Sequence, residues 1–449
     1  MDAFLAGLSE EQANEQRRLD NAPRATRHIC DCSLTRPLTL RVRQRAEYDK
    51  LHAPKAAPTW AADYYPGKCK PIEGSVKVKF DFMTSFMQTT FEAMGVPADQ
   101  AAVCAGVLIE ADLRGIDSHG IGRLKPIYCD RIDQGILKPT APITTLKETD
   151  ATALVDGGMA IGLYVGPHCM KMAIEKAKKH GVGVVFAQNS THYGIAGYYA
   201  TMASEAGCVG FSTTNARPSI APTFGVEGMM GTNPLCFGIP TDEEFPFVID
   251  CATSVNQRGK IERYGREGKE TPAGQVIDLE GNQRTDTEGI LLDMVAGKAA
   301  LCPLGGAGEE MGGYKGFGWA ATVELLCTAF QSGPWGADIC GIDRATGAKK
   351  PMPLGHVFIA IDIEPIVPLD KFKSNSGEFL RAVRASAKDP KGPGRIWTAG
   401  EPEFDARNDR TANGGFWIPP ALQKNMADLR AAKFSEEDKA KFTPFPFEK

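Results

Sequence analysis

VGPHCMKMAIEKAKKHGVGVVFA, residues 165–187, contains the pattern of a helix followed by a strand. Four of its apolar residues, from Met170 to Ala177, have the i, i+3, i+4 and i+7 spacing of one helix face. Pro167 stands near the start of this helix and Gly181 just past its end, which is the usual punctuation of a helix. The β-branched run after Gly181 predicts a buried strand, so the segment predicts a helix that leads directly into a strand.

Similar units occur farther along the chain. A loop over 192–197 precedes a predicted helix over 198–206 and a predicted strand over 209–214. A short apolar strand, Phe247–Ile249, ends at an aspartate, and a late strand is predicted over His356–Asp362. Alternating helices and strands of this kind predict an α/β fold. The chain lacks a G-x-G-x-x-G motif directly after a predicted strand, so the pattern does not indicate a Rossmann fold.

The segments outside this centre have a different character. Residues 1–75 are polar and rich in proline, and they predict an N-terminal extension that is partly disordered. Two helices are predicted next, one from about Asp81 and one from about Asp99 to Gly115. The last 40 or so residues are polar, and we expect a tail that packs on a neighbouring molecule.

Composition excludes several classes of protein. The chain has 449 residues, of which 43% are hydrophobic and 24% charged, and it is long enough for two domains. Its formal net charge of -4 predicts no nucleic-acid partner, since such a surface needs an excess of lysine and arginine. No apolar run approaches the length of about 18 residues that a membrane-spanning helix needs. The 12 cysteines are scattered without C-x-x-C pairs, which predicts reduced thiols and a cytoplasmic location.

The heptapeptide Asp117-Ser118-His119-Gly120-Ile121-Gly122-Arg123 is the main candidate for chemistry. Histidine can give or take a proton near neutral pH. Arginine has a planar fork that can hold a carboxylate with two hydrogen bonds. The combination of His119 and Arg123 in one glycine-rich turn predicts a site for a small acidic substrate.

Further motifs follow this turn in a fixed order. They are Asn189-Ser190-Thr191-His192-Tyr193-Gly194, Gly231-Thr232-Asn233-Pro234, Asp250-Cys251-Ala252-Thr253-Ser254, Arg258-Gly259-Lys260 and Gly313-Tyr314-Lys315-Gly316. Together with the segment ADLRGIDSHG, this series resembles the malate/L-lactate dehydrogenase family of nicotinamide-dependent 2-oxo-acid reductases. The resemblance extends from about Val76 to about Arg407.

The resemblance implies an architecture and a reaction. It implies an α/β nicotinamide-cofactor domain over 150–335 that does not have the Rossmann fold. A helical substrate domain, built from 76–149 and 336–449, would flank it. The implied reaction transfers a hydride between NAD, with NADP not excluded, and a small 2-hydroxy or 2-oxo acid, with malate or lactate as the leading substrate. The implied assembly is a homodimer.

The resemblance also implies roles for individual residues. His119 and His192 compete for the transfer of the proton, and we favour His119 because Arg123, the expected carboxylate clamp, follows it in the same turn. Ser118 completes the expected catalytic set. The expected contacts to the cofactor come from three motifs and one further asparagine: Asp250, Cys251, Ala252, Tyr314, Lys315, Asn215, Thr232 and Asn233.

Three other interpretations remain open. The chain could reduce another 2-oxo acid or a cyclic imine within the same family. It could be a silent homologue that acts as a binding protein. It could also be a metal hydrolase with His119, His192 and Asp250 as ligands, although these residues lack the H-x-x-x-H spacing of many metal sites. Our leading interpretation includes no metal.

Overall fold

A computed structural model describes residues 71–266, 268–343 and 346–448 of the chain. Nearly all of the predicted N-terminal extension, residues 1–75, lies outside the described residues. The described residues from 71 to 388 and from 395 to 448 group into one compact unit, and residues 389–394 fall outside that unit. The description below concerns the compact unit.

A seven-stranded sheet forms the centre of the described chain. Its strands are β2 (Thr144–Glu148), β3 (Thr152–Asp156), β4 (Val182–Ser190), β5 (Cys208–Thr214), β6 (Leu235–Ile239), β7 (Phe247–Cys251) and β10 (Leu354–Asp362). They lie in the order β2-β3-β4-β10-β5-β6-β7, and two short strands outside this sheet, β8 (Val276–Asp278) and β9 (Ala299–Leu301), pair with each other. Strands β3 and β4 pair in parallel, and every other pair in this sheet is antiparallel. The mixed pairing differs from the parallel sheet of a Rossmann fold, and the predicted non-Rossmann α/β class is confirmed.

Strand β10 lies where the domain prediction did not place it. The predicted boundary at residue 335 assigned this strand to the helical domain, whereas β10 pairs with β4 on one side and β5 on the other. Its sequence, Leu354–Asp362, is apolar and nearly all buried, as a central strand requires. The remainder of the two-domain division stays a prediction.

Helices surround this sheet. They are α1 (Phe80–Ala93), α2 (Ala98–Leu113), α3 (Asp130–Asp133), α4 (Gly162–His180), α5 (Ala196–Glu205), α6 (Arg258–Arg266), α7 (Thr287–Ala296), α8 (Gly313–Thr328), α9 (Leu369–Arg384), α10 (Glu401–Ala412), α11 (Pro420–Lys433) and α12 (Glu436–Lys441). The predicted helix over 165–180 is the C-terminal part of α4, which packs on β4 and β10. Among the described residues, no helix is long and apolar enough to cross a membrane.

Both ends of the described chain meet in the helical layer. Strand β1 (Val76–Val78) pairs with β11 (Phe416–Ile418), so the beginning and the end of the unit are joined. Phe86 of α1 packs against aromatic rings from the C-terminal region, with ring centroids 5.2 to 5.7 Å apart: Phe434, Phe442 and Phe445. The last residues therefore form part of the chain's own core, and the expectation of a tail that packs on a neighbour is wrong.

Candidate active site

The turn that carries His119 follows helix α2 and is built around a buried carboxylate. Asp112, at the end of α2, is 1% exposed and accepts a hydrogen bond of 2.8 Å from the backbone N–H of Ile121. A Cβ atom on Gly120 would lie 2.1 Å from the Asp112 carboxylate. Burial raises the pKa of this carboxyl group well above its usual range. Only glycine at position 120 lets the turn fold this closely over Asp112.

An arginine from the C-terminal region holds the same turn. The Arg410 guanidinium donates hydrogen bonds of 2.6 and 2.9 Å to the two oxygens of Asp117, and it also donates to the backbone carbonyl of Asp112. Two parallel bonds of this kind fix orientation as well as distance. Helix α10, nearly 300 residues farther along the chain, therefore positions the turn.

We expect Gly120→Ala to lower the free energy of unfolding by about 1 to 3 kcal/mol, because the added methyl group overlaps the buried carboxylate. Activity should fall as well, since the turn carries His119 and Arg123. Gly106→Ala is the matched control: beyond its chain neighbours and the backbone of its own helix, no atom lies within 4 Å of its Cβ position in α2, so this change should be neutral or stabilising. Chemical denaturation of both variants checks the difference, and equal stability of the two would contradict this account of the turn.

The structure brings the two predicted histidines together. His192 lies in the loop between β4 and α5, and its ring is nearly parallel to that of His119, with the centroids 5.8 Å apart and an interplanar angle of 18°. The hydroxyl group of Thr191 holds this loop, because it accepts from the N–H of Gly162 at 3.0 Å and donates to the carbonyl of Ala160 at 2.9 Å. Two separate loops thus bring the two imidazoles side by side.

Each imidazole has a different partner at Nδ1. The hydroxyl oxygen of Ser118 lies 2.8 Å from Nδ1 of His119. The phenol oxygen of Tyr128 lies 2.7 Å from Nδ1 of His192, and the backbone N–H of Gly194 donates to the same nitrogen at 3.3 Å. Both histidines are half-buried, so part of each remains accessible to solvent.

Burial, helped by neighbouring positive charges, keeps both rings neutral near pH 7. Burial lowers the pKa of His119 to about 4, and the positive charge of Arg123 acts in the same direction. Burial also lowers the pKa of His192 well below its usual range, and His119, Arg123 and Arg131 add to that effect. The site therefore favours the binding of an anion, which would offset the local positive charge.

Arg123 lies between the histidine turn and helix α6. Its Nε atom donates to the backbone carbonyl of Ser118. A Cβ atom on Gly259 would lie 3.6 Å from the guanidinium, so the Arg258–Lys260 motif approaches Arg123 closely. Burial lowers the pKa of Arg123, although nearby Glu262 opposes that shift. Ser118, His119, Arg123 and His192 thus form one cluster, as their predicted roles require.

Asp250 is placed at a helix start instead of beside the imidazoles. Its carboxylate accepts a hydrogen bond of 2.7 Å from the backbone N–H of Gly197, in the first turn of α5. The residue as a whole is exposed, but surrounding groups desolvate its carboxyl and raise the pKa to about 6. Cys251 is half-buried and Ala252 is 8% exposed, so Asp250 has the most accessible side chain of this motif.

Tyr314 and Lys315 lie in the first turn of α8. Both side chains are exposed, and the Lys315 ammonium lies 5.7 Å from the centre of the Tyr314 ring. The loop before this helix is tightly packed, because a Cβ atom on Gly313 would lie 2.0 Å from the carbonyl oxygen of Gly306. A lysine at a helix N-terminus is chemically suited to bind phosphate.

Asn215 and Asn233 point into the protein. Both amides donate to the buried carboxylate of Glu324 in α8, Asn215 at 3.3 Å and Asn233 at 2.8 Å. Thr232 contributes its backbone carbonyl, which accepts from the N–H and the hydroxyl of Thr253. The side-chain amides of this group therefore brace α8 against the sheet, and their predicted contact with the cofactor stays a prediction.

Sequence reasoning missed Tyr128, Asp112 and Arg410. Tyr128 is fully buried in a π-helical turn, Leu124–Cys129, and such turns often occur at functional sites. Nothing in the local sequence indicates that its hydroxyl group reaches a loop 64 residues away. No group of three His, Cys, Asp or Glu side chains among the described residues is arranged to hold a metal ion, so the proposed ligand set of a hydrolase does not assemble there.

Comparison with known proteins gives a consistent result. Residues 78–427 match the family model described as malate/L-lactate dehydrogenase. The chain is 41% identical to a malate dehydrogenase of Pyrococcus horikoshii over 332 residues, which cover 74% of this chain and 89% of that protein. It is 34% identical to an L-sulfolactate dehydrogenase of Methanocaldococcus jannaschii over 75% of this chain and 91% of that protein.

A solved structure agrees with these matches. The crystal structure of malate dehydrogenase from Entamoeba histolytica superimposes with a TM-score of 0.76 at 39% sequence identity. The superposition covers 80% of this chain and 98% of that chain. The similarity therefore extends over most of this chain and nearly all of that one.

Proposed function

The chain belongs to the malate/L-lactate dehydrogenase family, and we propose on that premise that it interconverts malate and oxaloacetate with NAD as the hydride carrier. It is an enzyme, a 2-hydroxy acid dehydrogenase that acts on a small molecule. The observation that carries the proposal is the cluster of two stacked imidazoles beside Arg123. This set combines a proton donor with a carboxylate clamp.

We assign each member of the cluster a task in the reaction. Arg123 binds the C1 carboxylate of the substrate through its guanidinium. One imidazole gives a proton to the carbonyl oxygen during reduction and takes it back during oxidation. The sequence favoured His119, but the contacts favour His192, because Tyr128 and Gly194 fix its orientation. We place His119, held by Ser118, against the other side of the substrate.

The exposed polar groups fit a dinucleotide. Asp250 offers a carboxylate that suits ribose hydroxyl groups, and Lys315 offers a cation at the N-terminus of α8 that suits the diphosphate. Tyr314 provides an exposed aromatic face next to that lysine. The nicotinamide would supply and accept the hydride, while the chain's own residues bind, orient and protonate the substrate. NAD is our first choice and NADP the alternative.

If Asp250 binds ribose, we expect affinity for the reduced cofactor to fall about tenfold as the pH falls through about 6, because the carboxylate loses its charge there. The raised pKa makes Asp250 stabilise the fold at low pH, a contribution that is lost as pH rises through about 6. Asp250→Asn should therefore bind weakly at every pH without loss of Tm. Fluorescence titration of the cofactor checks this, with Asp242→Asn as an exposed control. Tight, pH-independent binding by Asp250→Asn would contradict the role.

A substrate panel tests the proposed reaction. Oxaloacetate, pyruvate, 3-sulfopyruvate and a cyclic imine carboxylate would be assayed with reduced NAD and with reduced NADP by loss of nicotinamide absorbance. We expect oxaloacetate with reduced NAD to give the highest kcat/KM. A preference for the imine or for sulfopyruvate would move the chain to another activity of the family, and no turnover of any substrate would indicate a binding protein.

We also propose a cytoplasmic homodimer. The described cysteines are all free, which is usual for a reducing compartment. Large apolar side chains are exposed on α8 and on the segment after it: Trp319, Leu325, Phe330 and Trp335 are 55 to 63% exposed. Apolar surface of this kind is typical of an interface between protein chains.

A further inference from the structure

Tyr128 makes the most specific contact to the candidate proton carrier. Its ring is fully buried, packs edge-on against Phe91, and places its hydroxyl oxygen 2.7 Å from Nδ1 of His192. Tyr128 belongs to the π-helical turn Leu124–Cys129, which determines how its side chain is oriented toward His192. Replacing a buried phenol whose one partner is an imidazole costs free energy, because the imidazole nitrogen then loses its hydrogen bond to the hydroxyl group.

The second contact determines which tautomer the neutral ring adopts. The backbone N–H of Gly194 can only donate, and it donates to Nδ1 of His192 at 3.3 Å. Nδ1 must therefore carry a lone pair in the neutral ring, and the proton resides on Nε2. The Tyr128 hydroxyl, whose hydrogen can rotate, then also donates to Nδ1. Nε2 is left as the donor of the ring.

We infer that Tyr128 is a positioning residue that holds His192 with Nε2 toward the substrate in both of its protonation states. This inference rests on the proposed function. The hydroxyl donates to Nδ1 of the neutral ring and, after a rotation about its C–O bond, accepts from Nδ1–H of the imidazolium. During reduction the Nε2–H bond of the imidazolium breaks and its proton goes to the carbonyl oxygen as the hydride reaches C2. The ring that remains is neutral with its proton on Nδ1, so Tyr128 still accepts from it. The resting tautomer returns when Nδ1 releases that proton and Nε2 takes one from water, and Tyr128 then turns from acceptor to donor.

The groups around His192 show why such a hydroxyl is needed. The ring is influenced by His119 and Arg123 from the turn after α2, Arg131 from α3 and His356 from β10, and all of them oppose a positive charge. Of the two described groups in hydrogen-bond contact with Nδ1, the Tyr128 oxygen can accept from the imidazolium and the N–H of Gly194 cannot. A bound substrate carboxylate adds the negative charge that lets the imidazolium form.

Nitrogen-15 NMR of histidine-labelled protein tests the tautomer without any variant. We expect His192 of the full-length wild type at pH 8 to give a pyridine-type Nδ1 and a protonated Nε2. The resonance is assigned by its loss in His192→Gln. A protonated Nδ1 in the neutral ring would overturn the inference, whatever the enzyme reduces.

Kinetics of Tyr128→Phe test the imidazolium state. We expect kcat for reduction to fall about tenfold with little change in KM, since one hydrogen bond of this kind is worth roughly that factor. The falling alkaline limb of the kcat profile should move to lower pH, because the imidazolium loses its acceptor. Tyr193→Phe is the matched control: its hydroxyl group is also buried but contacts Ser212 at 3.3 Å instead of the imidazole.

The outcomes separate the inference from the function. If Tyr128→Phe keeps the wild-type kcat, pH limb and Nδ1 resonance, the inference is wrong. If Tyr193→Phe shifts the limb equally, the effect belongs to general packing, and the inference is again wrong. If the wild type reduces no 2-oxo acid while Nδ1 remains unprotonated, the proposed function fails and the account of the neutral ring stands.

Discussion

His192→Ala should slow single-turnover hydride transfer by about 100- to 10,000-fold, which is the usual cost of removing a positioned general acid. The reason lies in two contacts at Nδ1, from Tyr128 and Gly194, that fix the orientation of its ring. His119→Ala should act mainly on binding, with about a tenfold loss, because the Ser118 hydroxyl can pair with either tautomer of that ring. Rapid-mixing absorbance from mildly acidic to mildly alkaline pH measures both rates.

The comparison of the two histidines has three informative results. The larger loss in His192→Ala supports the assignment. A larger loss of rate in His119→Ala would assign proton transfer to His119, the residue that the sequence favoured. The contact between Tyr128 and His192 would then have no part in proton transfer. Near wild-type rates and unchanged pH profiles in both variants would show that neither imidazole transfers the proton, and the proposed mechanism would be wrong.

Arg123→Lys should raise KM for the 2-oxo acid by about 10- to 100-fold, because lysine keeps the charge and loses the paired hydrogen bonds of the guanidinium. A hydrogen bond to a charged group contributes about 1.5 to 3 kcal/mol, which corresponds to that range. Affinity for the cofactor should stay close to wild type, since our proposal gives that contact to Asp250 and Lys315. Steady-state kinetics and cofactor titration measure the two effects separately.

Arg381→Lys provides the control for this change. Arg381 is half-exposed on α9 and pairs with Asp242, away from the histidine turn. An exposed ion pair contributes little, so the control should leave both KM and cofactor affinity unchanged. If Arg123→Lys weakens cofactor and substrate binding equally, Arg123 does not act as the carboxylate clamp.

Much of the fold could be predicted from local pattern. The apolar spacing after Val165 predicted the C-terminal part of α4 and the strand after it, because burial of one helix face produces a periodic pattern of apolar residues in the sequence. The late strand at 356–362 was predicted as well. The strands that pair with it were not predicted. Pairing in a sheet depends on topology, and the sequence of a buried apolar strand does not indicate which strands lie beside it.

The candidate site was predictable where residues share one segment. Ser118, His119 and Arg123 occur within one turn, and the structure brings His192 to them. The residues that hold the site in place from distant parts of the chain were not predictable. Arg410 lies 293 residues from Asp117, and a tyrosine in an apolar run does not indicate which ring its hydroxyl group will meet. Long-range contacts of this kind depend on the folded chain as a whole.

The position of β10 between β4 and β5 has a consequence for biosynthesis. About 140 residues lie between the end of β5 and the start of β10, so the ribosome needs roughly 7 to 28 seconds to supply the missing strand. During that interval β4 and β5 each have an unpaired edge, and such edges recruit strands from other chains. A nascent chain halted before residue 354 would expose both edges permanently. Stalled or truncated products of this gene are therefore expected to aggregate or to depend on chaperones.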